Sequence, residues 1–260
     1  MRPTLRLCLA AVLLLLSDAA PAPHTVLAAT PISRMDLPAW RMRHEAKLAE
    51  LRSHRVDLVF LGDSITQDYE VSGPPEWRDF VPIWQRFYGD RNAINLGFSG
   101  DATSHLLWRI ENGEVAGVAP KVAVILIGAN NLGRLHWSAE DTVTGIDAIV
   151  AQLRRRLPHT KLLLLGVLPS ERSAWVTETT LAINKILAER YSSRDDVTYL
   201  NIDRVFMNGG KLNRDLFLDP KLTPPEPPLH PSAEGQALMA EAIEPTLAKL
   251  LGDARHVAAR

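Results

Sequence analysis

Four short blocks of this sequence hold residues able to perform ester chemistry. Val56-Asp57-Leu58-Val59-Phe60-Leu61-Gly62-Asp63-Ser64-Ile65-Thr66 is an apolar run that ends in a Gly-Asp turn and delivers a serine. A serine lifted out at the end of a buried strand becomes a nucleophile when a base lies beside it. His230, in Leu229-His230-Pro231-Ser232, is the natural base. Attack on an ester carbonyl builds charge on its oxygen, and that charge needs donors already in place. The Ser64 N–H supplies one. Gly100, in Gly97-Phe98-Ser99-Gly100-Asp101, supplies a second because a backbone without Cβ approaches substrate closely. The Asn130 amide, in Gly128-Ala129-Asn130-Asn131, supplies a third.

These blocks work together only if the fold brings them to one edge. The residues between them read as alternating strands and helices. Apolar, β-branched runs at Val56–Leu61, Ala93–Leu96, Lys121–Ile127, Lys161–Leu165 and Val197–Ile202 predict five strands. Val143, Ile146, Ile149, Val150 and Leu153 fall on one helical face. Leu181 to Tyr191 and Ala237 to Leu251 predict two further helices, and Trp40 to Arg52 an earlier one. Alternation of this kind predicts a parallel sheet covered on both faces, with ligands at the C-terminal ends of its strands. The serine, glycine and asparagine blocks follow the first three strands, and His230 precedes the last helix.

The bulk composition narrows the function class. The chain has 260 residues, 46% hydrophobic and 23% charged, with a net charge of −1. That size fits one domain, and the charge balance argues against nucleic acid as a partner. Arg2 and Arg6 precede an apolar stretch, Leu7 to Leu16, too short to span a bilayer. We therefore expect a signal peptide over residues 1–29, cut near Ala19 or near Ala28 and Ala29. A hydrolase domain over 30–252 and a polar tail over 253–260 would follow. Such a protein is exported, to the periplasm or outside the cell, with no stable membrane span once the signal is removed. The single cysteine, Cys8, lies inside the signal, so the mature chain has no disulfide or thiolate chemistry. No two histidines stand at i, i+4, which argues against a zinc site, and no cofactor is expected. Asp63 reads as a turn acceptor and Ser99 as a turn residue. His105 reads as a polar helix residue, and His44, His54, His136, His159 and His256 as surface residues. Trp77, Trp84 and Trp108 are candidates for an apolar wall near the site, with core packing as the default.

The four blocks, in this order, resemble the SGNH (GDSL-type) hydrolase superfamily. Its Ser, Gly, Asn and His map onto Ser64, Gly100, Asn130 and His230. The stretch from Asn95 to Glu114, with Pro120-Lys121 and Gly128 to Asn131, is similar to the catalytic subunits of intracellular platelet-activating-factor acetylhydrolases. The resemblance runs from about Asp57 to His230. It implies a three-layer α/β/α flavodoxin-like sandwich with a five-stranded parallel sheet, metal-free ester hydrolysis and an acyl-serine intermediate. It also implies a short acyl group, acetyl above all, on a carbohydrate or a lipid. An acyltransferase using the same serine, and a non-catalytic carbohydrate-binding protein on the same frame, are the rival readings. One position departs from the pattern. The family carries an Asp three residues before its His, and here that position is Pro227. Asp219 fits if the proline-rich stretch is an insertion. Glu226 is one residue off the expected spacing. A histidine held by a backbone carbonyl is the third possibility. Oligomeric state is not legible.

Overall fold

A computed structural model describes residues 25–73 and 78–256. The central sheet holds β1 (Leu58–Gly62), β2 (Ala93–Gly97), β3 (Val122–Leu126), β4 (Lys161–Leu165) and β5 (Val197–Leu200). All neighbouring pairs are parallel and the spatial order is β2-β1-β3-β4-β5. Every residue of β1 and β3 is buried, as the unbroken apolar runs require for central strands covered on both sides. Five parallel strands were expected, and five are present: β4 has the expected bounds, β3 and β5 are trimmed, and β1 and β2 each run on to the glycine that follows the expected strand.

Helices cover both faces. Those over the sheet are α3 (Val81–Tyr88), α4 (Thr103–Arg109), α6 (Ala139–Arg156), α7 (Ala174–Tyr191) and α8 (Ala233–Leu251); α1 (Pro38–Ser53) precedes the sheet. Helices α4, α6 and α7 pack side by side, and α3 packs against α8, which makes the three layers. Two short helices, α2 (Ser64–Gln67) and α5 (Ala129–Gly133), sit directly on the ends of β1 and β3. A small hairpin, β6 (Met207–Asn208) with β7 (Lys211–Leu212), follows β5. Helix α8 starts four residues before the predicted Ala237, because the Ser232 side chain caps it by accepting from Gly235 N–H.

From β1 the chain turns to β2 on one side; from β3 it continues to β4 and β5 on the other. The crevice between the ends of β1 and β3 is the topological switch point where such sheets place ligands. Ser64 and Asn130 flank it.

Residues 1–24 of the expected signal lie outside the described residues, but Leu27–Ala29 forms a 3₁₀ turn packed against α4 and α6. Ala28 is buried, and its carbonyl accepts from Thr103 Oγ1 at 2.8 Å. The folded domain therefore begins upstream of residue 30. At the other end, Arg91 holds Asp253 Oδ2 at 2.9 Å, so the first residues of the expected tail are tied down. Trp77 lies outside the described residues. Trp84 packs on Phe60, Tyr69 and Tyr88 in the core, and Trp108 on Trp40 and His44. His44 is not a surface residue: it is buried, with Nδ1 3.1 Å from Glu114 Oε1. Its helix α1 turns that face onto the core, which spacing of histidines alone does not reveal.

Candidate active site

Ser64 is the first residue of α2 and half-buried. At that position its N–H has no intrahelical acceptor. Asp63 caps the helix instead of acting on substrate: its Oδ1 accepts from Ile65 N–H at 3.0 Å. Burial pushes the Asp63 carboxyl up to about 7; the Ile65 bond and the His230 charge oppose this, while Asp101 and Asp68 reinforce it. Beneath α2, Gly97 leaves no room for a side chain, since a Cβ there would lie 2.7 Å from Thr66 C and 2.8 Å from Asp63 O.

Ser64 Oγ is 3.0 Å from His230 Nε2, and His230 Nδ1 is 2.6 Å from Asp219 Oδ1. Burial alone would raise the Asp219 carboxyl, but the hydrogen bond and charge of His230, with the N–H groups of His230 and Leu229, hold it below the ordinary carboxylate value. An ionised Asp219 is acceptor-only, so Nδ1 must carry the ring proton and Nε2 is left to accept from Ser64. Burial acts to lower the His230 value, but the Asp219 bond and charge, then Asp68 and Asp63, outweigh it and raise the imidazole above 6.5.

Chain geometry around Pro227 brings Asp219, not Glu226, to the His230 ring. Phe217 pairs with Pro231 as an antiparallel bridge, and Leu218 N–H donates to His230 O at 2.7 Å. The segments on either side of the proline-rich stretch thus run alongside each other, and the stretch loops out between them. Asp219 Oδ2 then accepts from both Leu229 N–H (2.7 Å) and His230 N–H (2.6 Å). Glu226 is exposed, and its backbone N–H donates to Asp219 O.

The donors lie on the loops after β2 and β3. Gly100 has φ +78°, a conformation that favours glycine. Ser99 N–H is used by Gln67 Oε1 and Asp101 N–H by Phe98 O; among the described residues the Gly100 N–H between them has no acceptor. Asn130 Nδ2 donates one hydrogen to Asp101 O at 3.0 Å, which fixes the amide and leaves its second hydrogen available. Asp101 is itself anchored: it is fully buried, accepting from Trp40 Nε1 (2.8 Å), Arg34 Nη1 (2.9 Å) and Arg109 Nε (2.8 Å). Arg109, also fully buried, pairs with Glu114 as well. Sequence spacing gave no sign of this network, because its members are joined only by the fold. His105 Nδ1 accepts from Ala102 N–H, a local turn bond and not a site contact.

The GDSL-like Lipase/Acylhydrolase family model matches residues 60–238. The chain belongs to that family. A platelet-activating factor acetylhydrolase IB subunit alpha2 from Rattus norvegicus is 32% identical over 173 residues, covering 65% of this chain and 69% of the relative. The alpha1 subunit from Homo sapiens is 29% identical over 170 residues, covering 65% and 68%. Among solved structures, a GDSL-like lipase from Bacteroides thetaiotaomicron aligns with TM-score 0.59 and 22% identity, over 80% of this chain and 97% of that one. A catalytic mutant of Axe2, an acetylxylan esterase from Geobacillus stearothermophilus, aligns with TM-score 0.54 and 18% identity, over 80% and 98%. The structural likenesses carry the fold; the family match carries hydrolase activity. In this GDSL-type hydrolase the Ser64, Gly100, Asn130 and His230 blocks meet at one edge of the sheet, and Asp219 reaches His230 across the proline-rich loop. Among the described residues no helix is long and apolar enough to cross a membrane.

Proposed function

We propose that the protein is an exported serine esterase that removes a short acyl group, acetyl above all, through an acyl-serine intermediate. The observation that carries this reading is the continuous chain Ser64 Oγ to His230 Nε2 to His230 Nδ1 to Asp219 Oδ1. Ser64 Oγ attacks the ester carbonyl while His230 takes its proton; Asp219 stabilises the imidazolium that results. The Ser64 and Gly100 N–H groups and the Asn130 amide receive the oxyanion. His230 returns the proton to the leaving alcohol, and a water activated by the same imidazole then releases the acid. The acetylhydrolase and acetylxylan esterase names of the relatives support the short acyl group.

A groove of about 850 Å³ lies between α7 and the β6–β7 hairpin, walled by Leu181, Met207 and Leu212, and none of Ser64, Gly100, Asn130 or His230 lines it. It opens beside Ser170, whose hydroxyl donates to Pro228 O, two residues before His230. If a leader is removed, the packed turn at Leu27–Ala29 favours a cut near Ala19 over one near Ala28.

The test is hydrolysis of p-nitrophenyl esters with acyl chains from two to twelve carbons, by wild type and Ser64→Ala. Rates should fall steeply with acyl length and be lost in Ser64→Ala. Equal rates for the two proteins at every length would refute the esterase reading. Acyl groups appearing on an added alcohol instead of as free acid would mark a transferase. Amino-terminal sequencing of the exported protein should place its first residue within 20–25.

A further inference from the structure

Three guanidinium groups from three separate loops meet at the oxyanion-hole side of the site. Arg34 precedes α1, Arg134 ends α5 and Arg172 precedes α7. A Cβ on Gly100 would lie 2.6 Å from Arg134 Nη1 and 3.2 Å from Arg34 Nη1, so both cations stand against the proposed oxyanion donor. Arg172 folds over the Gly133 backbone and donates Nη2 to Ala129 O at 2.7 Å, one residue from Asn130.

The charges of this cluster do not balance. Arg34 is paired with Asp101, but that carboxylate also serves Arg109, and Glu114 serves Arg109 and His44. Among the described residues neither Arg134 nor Arg172 has a carboxylate at ion-pair distance. Arg134 is exposed. Arg172 is half-buried, and burial lowers its pKa; the neighbouring Arg134 charge lowers it further, while Asp63 and Asp219 offset this in part. Those two acids are committed elsewhere, Asp219 to His230 and Asp63 to the Ile65 N–H. Holding like charges together beside a catalytic serine is unfavourable for folding, and a bound anion would relieve it.

We propose that Arg134 and Arg172, backed by Arg34, recognise an anionic group, a carboxylate or a phosphate, on the alcohol portion of the ester. This rests on the esterase reading above and deepens it: the substrate is an acetylated acid, not a neutral acetate. An acetyl group carries no charge of its own, so the anion belongs to the leaving group. A carboxylate points to an acidic sugar and a phosphate to a glycerophosphate headgroup, and both suit a planar guanidinium fork.

The experiment compares kcat/KM on matched acetyl esters: an O-acetyl methyl glycoside against its uronate, and acetylglycerol against acetylglycerol phosphate. Wild type should favour at least one anionic member by about tenfold, with the difference in KM, and about 0.5 M salt should shrink the preference. The preference should fall about fivefold or more in Arg134→Ala and be recovered only in part in Arg134→Lys, which keeps the charge but loses the fork. The favoured pair identifies the source of the anion. Hydrolysis of neutral esters with no anionic preference, or a preference unaltered in Arg134→Ala, would overturn the inference while leaving the esterase reading intact. Calorimetry of glycerol phosphate and methyl uronate on Ser64→Ala protein reads the same site without turnover. Binding that weakens about fivefold on adding Arg134→Ala supports the inference even if no ester is cleaved; no binding of either anion overturns it.

Discussion

In the proposed mechanism the acid–base pair at His230 sets both rate and pH dependence. Asp219 touches no substrate; it fixes the ring, and the N–H groups of Leu229 and His230, at 2.6–2.7 Å. We expect Asp219→Asn to lower kcat by more than about 100-fold and Glu226→Gln to leave it within about twofold. Asn130→Ala should cost about 100-fold or more by removing an oxyanion donor. The base must be neutral, so kcat/KM falls as pH drops through the His230 pKa, which stands above 6.5. Removing the Asp219 charge leaves burial to dominate, so the acidic limb should move to lower pH in Asp219→Asn. Stability follows the same linkage. The raised His230 contributes below its ordinary pKa and is lost as pH rises through its folded value. The lowered Asp219 contributes above its ordinary pKa and is lost as pH falls through its folded value. Thermal unfolding should therefore show a larger penalty for Asp219→Asn near pH 5.5 than near pH 8.5.

At the scale of elements, two short helices and one loop aim these groups. Helix α2 can sit on the end of β2 only because Gly97 has no side chain. Gly97→Ala would drive a methyl into the backbone at Asp63 and Thr66, so we expect loss of activity together with a destabilisation of about 2 kcal/mol or more, read by urea unfolding. The Ser232 cap begins α8 two residues after His230. Its removal in Ser232→Ala should cost about 1 kcal/mol and lower Tm by about 2–4 °C. Where strand and helix were legible in the sequence, periodicity and turn residues agreed: buried runs for β1 and β3, and a one-faced apolar stripe for α6. The 3₁₀ turns were not legible, because a single turn has no period to read, whereas the helix after Ser64 was signalled by the Gly-Asp-Ser turn that opens it.

For the whole molecule, a buried charge network ties the sheet edge to its first helix. Arg109 lies between Asp101 and Glu114, with Gly62 O and Leu96 O also accepting from it, and all three charged side chains are fully buried. Arg109→Leu would leave buried Glu114 without its arginine and Asp101 with Arg34 as its one remaining cation. We expect a loss of about 3–5 kcal/mol in urea unfolding and a displaced oxyanion loop, since Asp101 O holds Asn130. The same long-range closure decided what the sequence left open. Local sequence determined the five strands, the turn that presents Ser64, and the order of the Ser, Gly, Asn and His blocks, because hydrophobic period and turn chemistry act over a few residues. Three things waited for the tertiary structure: which acid steadies His230, where the folded domain begins, and which cations crowd the oxyanion hole. Asp219 reaches His230 across a looped-out stretch, Ala28 is buried against α6, and Arg34, Arg134 and Arg172 meet from three loops. Each depends on chain segments distant in sequence packing together, and no spacing rule along the chain encodes that.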